Sequence, residues 1–260
     1  MSEQIRYTGD GAIRTVTFCR PKVLNALTME MLLALERILD DLTHDTSCRV
    51  LILTGEGRGF MAGADISCMQ EATAQEAMAF SRATHRIFRK LELARPFTIA
   101  AVNGYALGGG LELAMACDVR VAAESARMGL PETAIGSFPG SGGTQRLVRL
   151  CGLGRAKELL ATAEKLSARQ AVELGIVEHV VPDSQLMDHC TELARRICRN
   201  SGAAIAQGKR LMTLSLDMTE EESAWMVTSQ IGQNYGSYDQ REGMRAFLEK
   251  RAPCFQAPDT

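Results

Sequence analysis

Apolar positions in the first half of the chain alternate between a strand rhythm and a helix rhythm. Residues 12–18 (AIRTVTF) are rich in β-formers, and Arg20-Pro21 closes them because proline cannot donate to a ladder. Thr28 is placed as N-cap of a helix over 29–42, whose Met31, Leu32, Leu35, Ile38, Leu39 and Leu42 form one stripe. Residues 50–54 (VLILT) predict a buried strand ended by GEGRG. A helical pattern over 74–93 leads through Pro96 to an apolar strand at 98–102, and a further strand signal covers 119–122.

After about Ser141 the pattern becomes helical. Segments 155–162, 168–174, 183–199, 203–216, 219–235 and 239–250 all have helical composition. The chain thus divides into an α/β core over 1–182 and a helical region over 183–260, with no Pro-, Gly- or Ser-rich linker between them. The helices after Asp183 can bury their apolar faces only on the core or on another subunit, so oligomerisation is expected. Strand–strand–helix order recurs loosely, without a strict sequence repeat.

Composition narrows the class. The 260 residues are 46% hydrophobic and 23% charged, as in ordinary globular proteins. A net charge of -2 argues against a dedicated nucleic-acid binder. No apolar run approaches the ~20 residues of a membrane span, and MSEQIRYTGDG lacks the apolar core of a secretory signal. Cytoplasm is therefore the expected compartment, with no membrane partner. The eight cysteines include no C-x-x-C pair and read as reduced, mostly buried thiols. Four scattered histidines give no metal-ligand spacing, so no metal site is expected.

The chemistry concentrates between Asn103 and Leu147. Gly108, Gly109 and Gly110 open a helical pattern, where the first N–H groups lack intrahelical partners and carry the positive end of the dipole. Without Cβ atoms a ligand can come close to that backbone, the arrangement of an oxyanion hole. Glu112 falls in the first turn of the same helix and leans toward its N-terminus. Glu132 follows Pro131 at the opening of another helix, just before a second Gly-rich stretch. Each glutamate alone reads as a complement to a helix dipole. Together, twenty residues apart and both beside glycine-rich backbone, they point to an enzyme acting on an acyl group. The loop 60–65 (FMAGAD) is small enough for close backbone approach, and alone it reads as an entry to a helix capped by Asp65. GEGRG fails the dinucleotide spacing at Phe60, no Walker G-K-S/T is present, and Ser141 lacks the frame of a nucleophile elbow.

These residues resemble the crotonase (enoyl-CoA hydratase) family over essentially the whole chain. RPKVLNALT, VLILTG, FMAGADI, NGYALGGGLELAMACD, LPETAIGSFPGSGGTQRL, LGIVEHVV and EGMRAFLEKR stand in family order. The resemblance implies a crotonase-type spiral of ββα units with C-terminal helices that build trimers, often paired as hexamers. It implies a coenzyme A thioester as substrate and no separate cofactor. It makes the N–H groups of Ala64 and Gly109 the holders of the thioester oxygen, and Glu112 and Glu132 the two catalytic glutamates of the hydratases. It also implies substrate or coenzyme A contacts at Ala62, Asp65 and Ile66, with Phe247 and Lys250 supplied by a neighbouring subunit. Two departures stand out: Ser67 occupies a position often held by lysine near the adenine, and Met61 is bulkier than the usual residue in its loop.

Both glutamates favour hydration of a 2-enoyl thioester to the 3-hydroxyacyl thioester. A double-bond isomerase needs no bound water and is the nearest alternative. A catalytically idle, RNA-binding or scaffolding member of the family is another, opposed by the negative charge and the intact glutamates.

Overall fold

The computed structural model describes residues 3–255; the ends of the two spans expected from sequence, residues 1–2 and 256–260, lie outside them. One sheet contains β1 (Ile5–Thr8), β2 (Ile13–Phe18), β3 (Val50–Gly55), β5 (Phe97–Val102), β7 (Val119–Ala123) and β10 (His179–Val181), in that order. Among the described residues of this sheet, only the β1–β2 pair is antiparallel. A second sheet runs β4 (Gly59–Met61), β6 (Tyr105–Leu107), β8 (Arg127–Gly129) and β9 (Leu166–Ser167). Each long strand β3, β5 and β7 is thus followed within a few residues by a short strand of the other sheet and then by helical structure. That is the repeated ββα turn of a spiral, and it brings the loops after β4, β6 and β8 to one end.

The helices are α1 (Met29–His44), α2 (Ile66–Met69), α3 (Ala74–Glu92), α4 (Gly109–Met115), α5 (Gly143–Cys151), α6 (Leu153–Thr162) and α7 (Ala168–Glu173). After them come α8 (Leu186–Cys198), α9 (Gly202–Ser215), α10 (Glu220–Asn234) and α11 (Tyr238–Leu248). Thr28 caps α1 by accepting from the Met31 N–H at 3.2 Å, and the buried face of α1 is the predicted six-residue stripe. Thr73 and Glu76 form a reciprocal capping box on α3.

Side-chain alternation divides the large sheet cleanly. Leu51, Leu53, Ala100, Val102 and Ala122 face the main core with α1, α3 and α4. Val50, Ile52, Ile99, Ala101, Val121 and Ala123 face the other way, against Leu186, Cys190 and Ala194 of α8. Helix α8 therefore buries its apolar face on its own chain. Helices α9 and α10 have no buried residue. A cavity of about 720 Å³ separates α9 and α10 from the ends of α1 and α3, lined by Leu39, Leu42, Leu93, Leu211, Leu214 and Met226. It contains neither glutamate.

A largely buried ion pair ties α9 to the sheet. Lys209 Nζ donates to Asp118 at 2.6 Å and to the Pro96 carbonyl at 2.8 Å, while Asp118 accepts from the Thr98 N–H at 2.7 Å. The cysteines are free, but the expectation that most are buried needs correction. Cys48, Cys117 and Cys190 are buried; Cys19, Cys151 and Cys198 are half-buried; Cys68 and Cys254 are exposed. The last two sit on the short helix α2 and after α11, where no layer covers them. No helix among the described residues is long and apolar enough to cross a membrane.

Candidate active site

The glycine triplet opens a helix, as its sequence predicts. Gly108 is the N-cap of α4 with φ +51°, a conformation open to glycine and rarely to other residues. Gly110 packs α4 against β4 so closely that an added Cβ would lie 1.8 Å from the Met61 carbonyl oxygen. This contact brings the loop after β4 beside the start of α4. A Cβ placed on Gly109 would be 3.8 Å from the Ala64 nitrogen, and one on Gly63 would be 3.9 Å from the Gly109 nitrogen. Among the described residues, neither the Ala64 nor the Gly109 N–H has a protein acceptor. Two donors therefore stand side by side, uncommitted, at the positive end of a helix.

Both glutamates reach this backbone. A Cβ on Gly109 would be 3.9 Å from Glu112 Oε2, and one on Gly108 would be 2.9 Å from Glu132 Oε1. Their surroundings differ in a way that matters for proton transfer. Glu112 is 1% exposed, and its Oε1 accepts from the Ser141 N–H at 2.8 Å and the Gly143 N–H at 2.7 Å. Burial pushes its carboxyl up, opposed by these two donors and by the nearby Arg146. Glu132 lies in the 3-10 turn Pro131–Ile135 with Pro131 at its start. Its Oε2 is buried without a hydrogen-bond partner among the described residues, and burial raises its pKa to about 7, helped by the Glu112 charge. One carboxyl is solvated by peptide N–H groups; the other is held closer to its neutral form.

The turn 140–143 that serves Glu112 is braced from α3 and α5. Ser81 Oγ donates to the Gly140 carbonyl at 2.6 Å. Arg146 Nη1 donates to the Ser141 carbonyl at 3.2 Å, and Arg146 pairs with Glu92 at 3.2 Å. The turn between β3 and β4, which leads into the Ala64 loop, is fixed by asparagines on the other side. Asn25, fully buried at φ +58°, donates to the Glu56 and Gly59 carbonyls at 3.0 and 2.7 Å. Asn103 accepts from the Gly55 N–H at 3.1 Å and donates to the Gly57 carbonyl at 2.9 Å. GEGRG is thus a stapled turn between β3 and β4. None of Ser81, Arg146, Asn25 or Asn103 was legible as a site residue: Ser81, Asn25 and Asn103 bond backbone atoms tens of residues away, and Arg146 joins the nearby Ser141 carbonyl to the distant Glu92 carboxylate.

The remaining predicted residues divide into two places. Ala62 donates its N–H to the Leu24 carbonyl at 3.0 Å and lies in the same loop as Ala64. Asp65 caps α2 by accepting from the Ser67 N–H, and its carboxylate also takes Arg20 at 2.9 Å. Ser67 and Arg20 together lower the Asp65 pKa. Ile66 is exposed on α2. Phe247 and Lys250, by contrast, belong to α11 and the turn after it, and Phe247 is 81% exposed. Lys250 is held at φ +54° where Glu242 folds the chain back, accepting from Arg251 Nη1 at 2.6 Å and the Cys254 N–H at 2.9 Å.

Residues 8–258 match the sequence profile of the enoyl-CoA hydratase/isomerase family. The chain belongs to this family. It is 40% identical over 243 residues to a short-chain-enoyl-CoA hydratase of Clostridium acetobutylicum, covering 93% of each chain. It is 41% identical over 237 residues to a crotonyl-CoA hydratase of Syntrophomonas wolfei, covering 91% of each. The crystal structure of an enoyl-CoA hydratase from Bacillus anthracis superposes with a TM-score of 0.94 at 35% identity, over 98% of this chain and all of that one. The crotonase-type spiral inferred from the sequence is accordingly the observed fold, with two sheets and a C-terminal helical region.

Proposed function

We propose that this chain is an enoyl-CoA hydratase, adding water reversibly across the C2–C3 double bond of a 2-enoyl-CoA. The observation that carries the reading is the pair of glutamates flanking one glycine backbone with two uncommitted N–H donors. The family relatives named above make the thioester the natural acyl group.

In the forward direction Glu112, its carboxylate held by two peptide N–H groups, takes a proton from water as the oxygen bonds to C3. Electrons of the double bond move onto the thioester oxygen, and the enolate charge falls on the Ala64 and Gly109 N–H groups. Glu132, with a pKa near neutrality, donates its proton to C2. Water has then supplied OH to C3 and, through the pair, H to C2. The proton on Glu112 returns to Glu132 or to solvent before the next turnover. These steps use only carboxyl and backbone groups, and coenzyme A arrives as part of the substrate.

We further infer a homotrimer, single or paired. Exposed Met212, Trp225, Phe247 and Leu248 on α9, α10 and α11 are 73%, 74%, 81% and 80% exposed, and such apolar area favours a covered surface. In that assembly Phe247 and Lys250 would meet the coenzyme A of a neighbour. Cytoplasm is the proposed compartment, where acyl-CoA substrates occur.

The test is product analysis from crotonyl-CoA in ¹⁸O water. The reading predicts 3-hydroxybutyryl-CoA carrying one ¹⁸O at C3. Unchanged crotonyl-CoA, together with conversion of a 3-enoyl-CoA to the 2-enoyl isomer, would replace it with the isomerase reading.

A further inference from the structure

Two peptide groups donate to Glu112 Oε1, and both are held at their carbonyl ends. The Ser141 N–H shares its peptide unit with the Gly140 carbonyl, which accepts from Ser81 Oγ at 2.6 Å. The Gly143 N–H shares its unit with the Gly142 carbonyl, which accepts from the Arg146 N–H at 3.0 Å in the first turn of α5. In a planar trans peptide the C=O and N–H point to opposite sides, so fixing the carbonyl aims the N–H. The second anchor is helix backbone and requires no particular side chain. The first depends on one hydroxyl, on a helix 59 residues away in sequence.

We propose that Ser81 is a positioning residue for hydration, holding the 140–141 peptide so that the Ser141 N–H stays on Glu112 Oε1 and Oε2 stays turned to the Gly108–Gly109 backbone. The proposal rests on the hydratase reading. Ser81 also sharpens the donor it aims, since a peptide whose carbonyl accepts a hydrogen bond is polarised at its N–H. Its hydroxyl donates to the Gly140 carbonyl rather than to the Glu112 carboxylate, and acts through the peptide.

The sign of the effect follows. N–H donors favour the ionised carboxyl, so loosening one raises the pKa of Glu112. The charged groups facing Glu112 are Arg146 from α5 and Glu132 from the 3-10 turn, and neither changes when Ser81 is altered. A Ser81→Ala enzyme therefore needs higher pH to keep Glu112 ionised.

The experiment compares wild type, Ser81→Ala and Ser81→Thr in crotonyl-CoA hydration across pH, alongside hydrogen–deuterium exchange of the segment containing Ser141. Ser81→Ala is expected to lower kcat at neutral pH about ten- to a hundredfold through misplacement of the base. Its acid limb should move up by about one pH unit, while KM changes little because no substrate contact is lost. Exchange at Ser141 should quicken in the alanine variant. Ser81→Thr, which retains the hydroxyl, should restore both. A Ser81→Ala enzyme that loses thermal stability and kcat together with its acid limb unmoved, or whose Ser141 protection is unchanged, overturns the proposal. Failure of wild type to hydrate crotonyl-CoA would sink the hydratase reading, while exchange at Ser141 would still decide whether Ser81 holds the peptide.

Discussion

Glu112 and Glu132 are the same residue type placed in opposite surroundings, and that contrast sets the expected pH behaviour. Glu132 keeps its proton in the folded protein up to about pH 7, against an ordinary value of 4.5. If it must deliver that proton to C2, kcat should fall as pH rises above about 7. Linkage gives a second consequence with a definite sign. A raised folded pKa contributes stability that is complete below 4.5 and is lost as pH climbs toward about 7. Glu132→Gln, which cannot ionise, should therefore be more stable than wild type in mildly alkaline buffer by about 1–3 kcal/mol, the scale of an unmet buried polar group, and melt at a higher temperature. At pH near 4 the two should coincide. Equal melting temperatures at both pH values would mean that Glu132 is not desolvated as described. Both glutamates were legible in the sequence, because each sits at a helix opening beside glycines. Their inequality was not, since it comes from Ser141 and Gly143 donating to Glu112 Oε1 while Glu132 Oε2 is buried without a partner among the described residues.

At the scale of elements, long periodic segments were readable and short ones were not. The stripe of α1 and the apolar strands β3 and β5 follow directly from spacing. Strands β4, β6 and β8 have three residues each, too few for any period, and they exist because the adjoining long strands deliver them to a second sheet. Helix α5 is not marked by periodicity, because it begins at Gly143 and continues through Thr144 and Gln145, residues that give no apolar stripe. The α4–β4 contact yields a paired test. Gly110→Ala would drive a methyl into the Met61 carbonyl and should destabilise by at least about 1–3 kcal/mol, the usual cost of overpacking. Gly154→Ala, on α6 with open space around it, should be neutral or stabilising by about 0.4–1 kcal/mol. Denaturant melts of both variants check this; a Gly110→Ala protein as stable as wild type would show that the loop after β4 can move away from α4.

For the whole molecule, the spiral explains why residues from three successive turns meet. The Ala64 loop follows β4, the glycine triplet and Glu112 follow β6, and Glu132 follows β8. The resemblance of the full chain to a known family anticipated this convergence; the alternation of strands and helices alone did not, because sheet order is set by contacts between distant segments. The helices α9 to α11 lie outside that logic, and the proposed trimer assigns to them the contact between subunits. Lys250→Ala should raise KM for crotonyl-CoA with kcat nearly unchanged, since a contact remote from the reacting carbons serves ground and transition states alike. Sedimentation of the same proteins should find trimers or larger; a fully active monomer would refute the shared site. The most direct test of the two-carboxylate mechanism is the initial rate of crotonyl-CoA hydration by Glu112→Gln and Glu132→Gln, read as loss of the conjugated thioester absorbance. Each substitution preserves shape and removes one proton-transfer group, so each folded variant should be slower by about 10²–10⁴. Turnover near wild type in either would contradict the account.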